Sequence, residues 1–137
     1  MRVSFCVRGE PQGKARPRFA PGGNIYTPPT TKKYEAEILT AYRAAAAKVG
    51  WKEPPSGYAS MSLTVGYKIP KSASKAKRGK MLEQEILPDK KPDLDNVIKV
   101  VLDALNGVAY KDDKQVVMIH AQKYYTDNPH ISVEVIT

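Results

Sequence analysis

The stretch DLDNVIKVVLDALNG, residues 93–107, decides the fold because it has the features of one complete helix. Asp93 and Asp95 stand at its start, where free backbone N–H groups and the positive end of the helix dipole favour negative charge. Asn106 and Gly107 stand at its end, where glycine commonly terminates a helix. We therefore predict a helix between these two signals, with an apolar run inside it.

A second helix is predicted upstream, between a cap at Thr30 or Thr31 and a stop at Gly50. Its apolar residues recur at steps of three and four, as on one face of a helix. These residues are Tyr34, Ile38, Ala41, Tyr42, Ala45 and Val49.

Strands are predicted where apolar and polar residues alternate, in ranges 2–8, 61–69, 115–125 and 130–136. Residues 14–26 contain a Gly/Asn cluster that suits the tip of a hairpin. The mixed order of strands and helices predicts an α+β (mixed α/β) fold, with a small mixed sheet and hairpins packed against two main helices. The length of 137 residues predicts a single domain over 1–137.

The composition favours a polyanionic partner. Lys and Arg total 22 against 14 Asp and Glu, a formal net charge of +8, which suits nucleic acid. The single Cys6 cannot form an intrachain disulfide, and no apolar run of membrane-spanning or signal-peptide character follows Met1. We therefore expect a reducing, cytoplasmic setting and no membrane partner.

Two basic segments are candidates for DNA contact. Lys14, Arg16 and Arg18 alternate, so in a strand they would share one face and could track a phosphate backbone, although a solvated edge strand accounts for them equally well. Residues 68–91 hold eight of the 22 basic side chains. We expect this second segment to be mobile without nucleic acid, with part of it, from Ser72 or Ser74 to Glu85, forming a short capped helix.

Four acids stand out against the basic background: Asp93, Asp95, Asp112 and Asp113. If the chain returns after the helix towards its start, three carboxylates would converge, and they would repel one another unless a hard cation such as Mg²⁺ neutralised them. The alternative is an ordinary helix cap at Asp93 and an ordinary turn at Asp112-Asp113.

Lys99 also has two interpretations. It lies four residues after Asp95 and four before Asp103, so the three could form an exposed charge ladder along one helix stripe. Alternatively, Lys99 could lie beside a metal-bound phosphate and stabilise the charge that develops during cleavage.

Four motifs occur in order along most of the chain: GKARPR (13–18), KPDLDNVIK (91–99), LDALNGVAY (102–110) and DDKQV (112–116). Together they resemble the RusA family of Holliday junction resolvases. The resemblance implies an Mg²⁺-dependent endodeoxyribonuclease, with Mn²⁺ as a substitute and no small-molecule cofactor. It further implies an isologous or intertwined homodimer that makes paired symmetric nicks across a four-way DNA junction and leaves 5′-phosphate and 3′-hydroxyl ends.

The resemblance also assigns residues. The family's catalytic and metal-binding acids fall on Asp93, Asp95 and Asp113, and its essential lysine falls on Lys99. Asp112 is a further candidate ligand or orienting group. The implied DNA-contacting surface consists of Lys14, Arg16, Arg18, Lys71, Lys75, Lys77, Arg78 and Lys80.

Two other functions fit the same composition. A non-catalytic, basic DNA-binding or architectural protein would use its acids only as caps. A nuclease for other branched DNA would share the metal chemistry and differ in the DNA shape that it selects.

Overall fold

A computed structural model describes all residues, 1–137, and contains three helices and two sheets. The α+β fold predicted from the sequence is confirmed. In chain order the elements are β1 (Arg2–Arg8), β2 (Arg18–Phe19), β3 (Ile25–Tyr26), α1 (Pro29–Lys48), β4 (Ala59–Lys68), α2 (Lys75–Leu82), α3 (Leu94–Leu105), β5 (Val116–Thr126) and β6 (His130–Ile136). None of the helices combines the length and the apolar character needed to cross a membrane.

The main sheet is mixed and has the strand order β1-β6-β4-β5. β6 pairs antiparallel with both β1 and β4, whereas β4 pairs in parallel with β5. β5 and β6 are consecutive in the chain and joined by a short turn, but β4 lies between them. The ends of the turn between β5 and β6 lie close to Gly66 of β4. A Cβ at position 66 would lie 2.9 Å from Cγ2 of Thr126 and 3.2 Å from the His130 ring.

Helix α3 packs against α1 and the sheet through an apolar stripe. Val97, Val100, Val101 and Leu105 are completely buried, as the 3.6-residue helix period requires of residues on one face. They belong to one cluster of 25 buried apolar side chains drawn from both sides of this interface. The orientation of α3 about its own axis is therefore fixed by burial.

Helix α1 begins earlier than the sequence predicts. Pro28 occupies the N-cap without a side-chain hydrogen bond, and Pro29 is the first helical residue, a position where the missing N–H of proline costs nothing. The predicted caps Thr30 and Thr31 are therefore inside the helix, and Thr31 is buried. Val49 lies beyond the helix and is half exposed, so it does not belong to the buried face.

The two basic segments differ from each other in structure. Of the three alternating basic residues only Arg18 lies in a strand, β2, so Lys14, Arg16 and Arg18 do not share a strand face. The predicted short helix is confirmed as α2, where the Ser74 hydroxyl accepts a hydrogen bond from the Lys77 N–H. Met81 at the end of α2 is buried and anchors this helix to the core.

Candidate active site

A groove separates the N-terminal segment from the start of α3. Its volume is about 570 Å³, and it brings Arg16 and Lys91 beside Asp93. The two walls touch at Gly13, where a Cβ would come within 2.9 Å of the Asn96 Cβ. Close packing of backbone against α3 therefore places basic side chains next to the acidic helix start.

The carboxylates of Asp93 and Asp95 are exposed and unengaged. Asp93 is the N-cap of α3 but makes no side-chain capping hydrogen bond, so the interpretation of Asp93 as an ordinary cap is not supported. The four ion pairs of the structure involve neither residue. Two negative charges at this helix end are thus available to an external cation.

Tyr67 fixes the backbone directly before Asp93. Tyr67 is 2% exposed, and its phenol donates a hydrogen bond to the carbonyl oxygen of Pro92. Burial, together with the negative charge of Asp93, raises the pKa of Tyr67 to about 12. The phenol therefore stays protonated and continues to donate throughout the neutral range.

Lys123 supports the same loop from β5. Its Nζ donates a hydrogen bond of 2.9 Å to the carbonyl oxygen of Lys90 and lies 5.0 Å from the centroid of the Tyr67 ring. This cation–π geometry is favourable for a partly desolvated ammonium group. Lys123 and Tyr67 together hold residues 90–92 against the sheet.

The charge ladder through Lys99 is not formed. Lys99 is exposed and belongs to none of the four ion pairs. Asp103 instead lies 3.1 Å from Nζ of Lys14, measured from its Oδ2 atom. The ammonium of Lys99 is therefore unpaired within the chain.

Asp112 and Asp113 have different surroundings. Asp112 is the N-cap of a short 3₁₀ helix, Asp113–Gln115. Its Oδ1 accepts a hydrogen bond from the Lys114 N–H, and the Gln115 side chain accepts one from the Asp112 N–H, which completes a capping box. Asp113 makes no ion pair and is half-buried near Tyr110. Of the two neighbouring acids, Asp113 has the unengaged carboxylate.

The structure does not bring three acids together. No group of three or more His, Cys, Asp or Glu side chains is positioned to hold one metal ion. The Asp113 segment is anchored by Tyr110, whose phenol donates a 2.9 Å hydrogen bond to the Leu102 carbonyl oxygen. The predicted convergence of three carboxylates at the helix start is therefore not formed within the chain.

The predicted DNA-contacting residues are mostly exposed. Arg16, Arg18 and the lysines of range 71–80 have exposed side chains, whereas Arg78 pairs with Asp127. Lys14 is the exception, since its side chain is only 18% exposed and contacts Glu35 and Asp103.

Comparison with known proteins agrees with these features. Residues 8–136 match the endodeoxyribonuclease RusA family. The chain belongs to the RusA family. It is also 35% identical to the uncharacterized protein YqaN of Bacillus subtilis (strain 168) over 139 residues, which covers 96% of this chain and 93% of that protein.

Membership in the RusA family implies an endonuclease that acts on Holliday junctions. The structure also identifies four residues that contact the candidate site or the segments next to it and that the sequence patterns did not single out. They are Tyr67, Lys123, Glu35 and Tyr110. Alternation along β4 does predict that Tyr67 faces the core. Its partner Pro92, however, lies 25 residues away, and no local pattern predicts that contact.

We expect Tyr67→Phe to slow DNA cleavage because the Pro92 carbonyl loses its donor and residue 93 loses its anchor. Loss of one hydrogen bond should lower the free energy of unfolding by about 1 kcal/mol, and misplacement of Asp93 should reduce the cleavage rate about tenfold. Urea unfolding and single-turnover cleavage measure the two effects. Tyr58→Phe is the matched control, because Tyr58 is 82% exposed; equal cleavage by both variants would contradict a role for the Tyr67 phenol.

Proposed function

We propose that the protein is an Mg²⁺-dependent endodeoxyribonuclease that resolves four-way DNA junctions as a homodimer. The observation that carries this proposal is the pair of unengaged carboxylates at the start of α3: Asp93, which lines a basic groove, and Asp95, two residues further along the chain. In a protein of net charge +8, unpaired acids beside a DNA-binding groove would oppose binding unless they served a cation. Membership in the RusA family supports the same function.

The donor chemistry of the site fits Mg²⁺. This ion prefers carboxylate and water oxygens, and Asp93 and Asp95 at the start of α3 offer carboxylates that no group of the protein occupies. These two residues would hold the ion, with Mn²⁺ as a substitute. Asp113, which the structure does not bring together with them, would complete the ligand set by moving towards them when the ion and DNA bind. When bound, the metal would activate a water for attack on phosphorus and stabilise the leaving oxygen, which yields 5′-phosphate and 3′-hydroxyl ends.

The chain's own residues would position the DNA. Lys99 faces the same side of α3 as Asp95, four residues away, and its unpaired ammonium would contact the scissile phosphate. There it would stabilise the negative charge that grows in the transition state. The fixed rotation of α3 keeps Asp95 and Lys99 on the solvent side while the apolar stripe is buried.

The basic surface would bind the phosphate backbone outside the scissile position. Arg16 and Arg18 border the N-terminal side, and Lys71, Lys75, Lys77 and Lys80 are exposed on and around α2. Arg78 would contribute less, because it already pairs with Asp127. Contacts of this kind supply affinity without base sequence.

A two-fold dimer would present two identical sites to two strands of a junction. The edge strand β5 supports such an association. Its first residues expose apolar side chains, with Val117 at 63% and Met118 at 67%, and its outer edge has no strand partner. Exposed apolar edges of this kind commonly mark association surfaces.

The central test uses a labelled four-way junction and a linear duplex of the same arms, each with Mg²⁺ or with EDTA. We expect symmetric nicks in the junction alone, and only with Mg²⁺, on a denaturing gel. Mg²⁺-dependent nicks in the linear duplex as well would contradict selectivity for the junction and indicate a nuclease with the same metal chemistry and a different DNA substrate. Salt-dependent binding that is equal with and without Mg²⁺, and no nicks, would establish the non-catalytic DNA-binding alternative.

Asp112 and Asp113 are distinguished by their substitution to asparagine. We expect Asp113→Asn to reduce the junction cleavage rate at least about 100-fold, because it removes a charged ligand of the cation. Asp112→Asn should retain cleavage within about twofold, since asparagine is an equally good helix cap. Single-turnover rates measure both, and the reverse order of effects would assign the ligand to Asp112.

A further inference from the structure

The ammonium group of Lys14 is paired with two carboxylates of the same chain. Its Nζ lies 2.6 Å from Oε1 of Glu35 and 3.1 Å from Oδ2 of Asp103. The Lys14 side chain is 18% exposed, and those of its two partners are 23% and 36% exposed. One ammonium shared by two carboxylates has no surplus charge to offer to a phosphate.

The backbone around Lys14 is fixed as well. The Lys14 N–H donates a 3.0 Å hydrogen bond to the Asn96 carbonyl oxygen on the first turn of α3. At the preceding position, Gly13 has room for no side chain, because a Cβ would lie 2.9 Å from Cβ of Asn96 and 3.2 Å from Cβ of Pro92. Lys14 therefore links the N-terminal segment, α1 and α3.

Asp103 is the residue whose pairing matters most for the site. It lies four residues after Lys99 on α3, a spacing at which opposite charges attract. In the structure Asp103 contacts Lys14, and Lys99 has no ion-pair partner. The partner of Asp103 thus decides whether Lys99 is free.

We propose that Lys14 is a positioning residue that engages Asp103 and so keeps the Lys99 ammonium available to the DNA phosphate. This proposal rests on the role of Lys99 in the proposed function. It gives Lys14 a task different from the DNA contact expected from the sequence.

The protonation of Lys14 is consistent with this role. Burial lowers the pKa of Lys14, but hydrogen bonds and the negative charges of Glu35 and Asp103 outweigh it, so the net pKa lies above the ordinary value. A raised lysine pKa means that the stabilisation is fully present below the pKa of the unfolded chain and is lost only in strongly alkaline solution. The contact therefore persists at neutral pH.

The first experiment measures cleavage and binding separately in Lys14→Met. We expect the single-turnover rate on a four-way junction with Mg²⁺ to fall about 10- to 100-fold. The dissociation constant for the junction and its salt dependence should change by less than about twofold.

Lys52→Met is the control, because Lys52 is exposed and forms no ion pair. Weaker binding with a salt slope reduced by about one and an unchanged rate would make Lys14 a phosphate contact and overturn the proposal.

The second experiment tests rescue. In Lys14→Met/Asp103→Asn, no carboxylate remains at position 103 to pair with Lys99, so we expect the rate to return to within about threefold of Asp103→Asn alone. A double variant as slow as Lys14→Met would mean that Lys14 only holds the fold together, and it would overturn the proposal. The same comparison with Lys14→Gln, which retains a hydrogen-bond donor, covers the case in which Lys14→Met does not fold.

A third readout needs no cleavage. NMR of the ¹⁵N-labelled lysine ammonium groups should show Lys14 protected from exchange in the wild type, and Lys99 becoming protected in Lys14→Met but not in the double variant. An unchanged Lys99 signal in Lys14→Met would overturn the proposal. If the wild-type protein fails to cut junctions, the proposed function is wrong, whereas this NMR comparison still decides the pairing of Asp103.

Discussion

The rotation of α3 about its axis is the constraint on which the site depends. Val97, Val100, Val101 and Leu105 are fully buried, and burial of each such side chain contributes roughly 1.5 to 3 kcal/mol. Rotation of α3 about its own axis by one residue position, about 100°, would expose this apolar stripe and move Asp95 or Lys99 towards the core. Burial of an unpaired charge costs several kcal/mol, so the apolar stripe and the charged residues enforce the same orientation.

Three contacts from other elements then fix the start of the helix. Tyr67 of β4 donates a hydrogen bond to the Pro92 carbonyl, Lys123 of β5 donates one to the Lys90 carbonyl, and the Lys14 N–H of the N-terminal segment donates one to the Asn96 carbonyl. All of them act on main-chain groups within three residues of Asp93 and leave its carboxylate unengaged. The protein thus positions the acids through neighbouring main-chain groups, so the carboxylates stay open to a ligand from solution.

Local patterns in the sequence predicted the elements well. Alternation predicted β1 and β6 with the bounds that the structure has, and the acidic start and glycine stop predicted α3. Pairing between distant elements was not predictable in this way. The parallel contact of β4 with β5, and the insertion of β4 between β5 and β6, depend on how the whole sheet assembles.

The site was predictable to a similar extent. Its residue types follow from the motifs, and Asp93, Asp95 and Lys99 are exposed and form no ion pair within the chain. The charge partners did not follow from spacing, because Asp103 pairs with Lys14, 89 positions away, and not with Lys99 on its own helix. Likewise, Tyr110, three residues before Asp113, donates a hydrogen bond to the Leu102 carbonyl oxygen, a contact that only the folded chain reveals.

The most direct test of the account is parallel measurement of junction binding and junction cleavage by Asp93→Asn. Asparagine is an equally good N-cap, so the helix start should persist, and Asp89→Asn in the exposed loop before it is the matched control. For Asp93→Asn we expect junction binding within about threefold of wild type and a cleavage rate lower by at least about 100-fold, and for Asp89→Asn no change in either. Cleavage by Asp93→Asn at the wild-type rate would contradict the account.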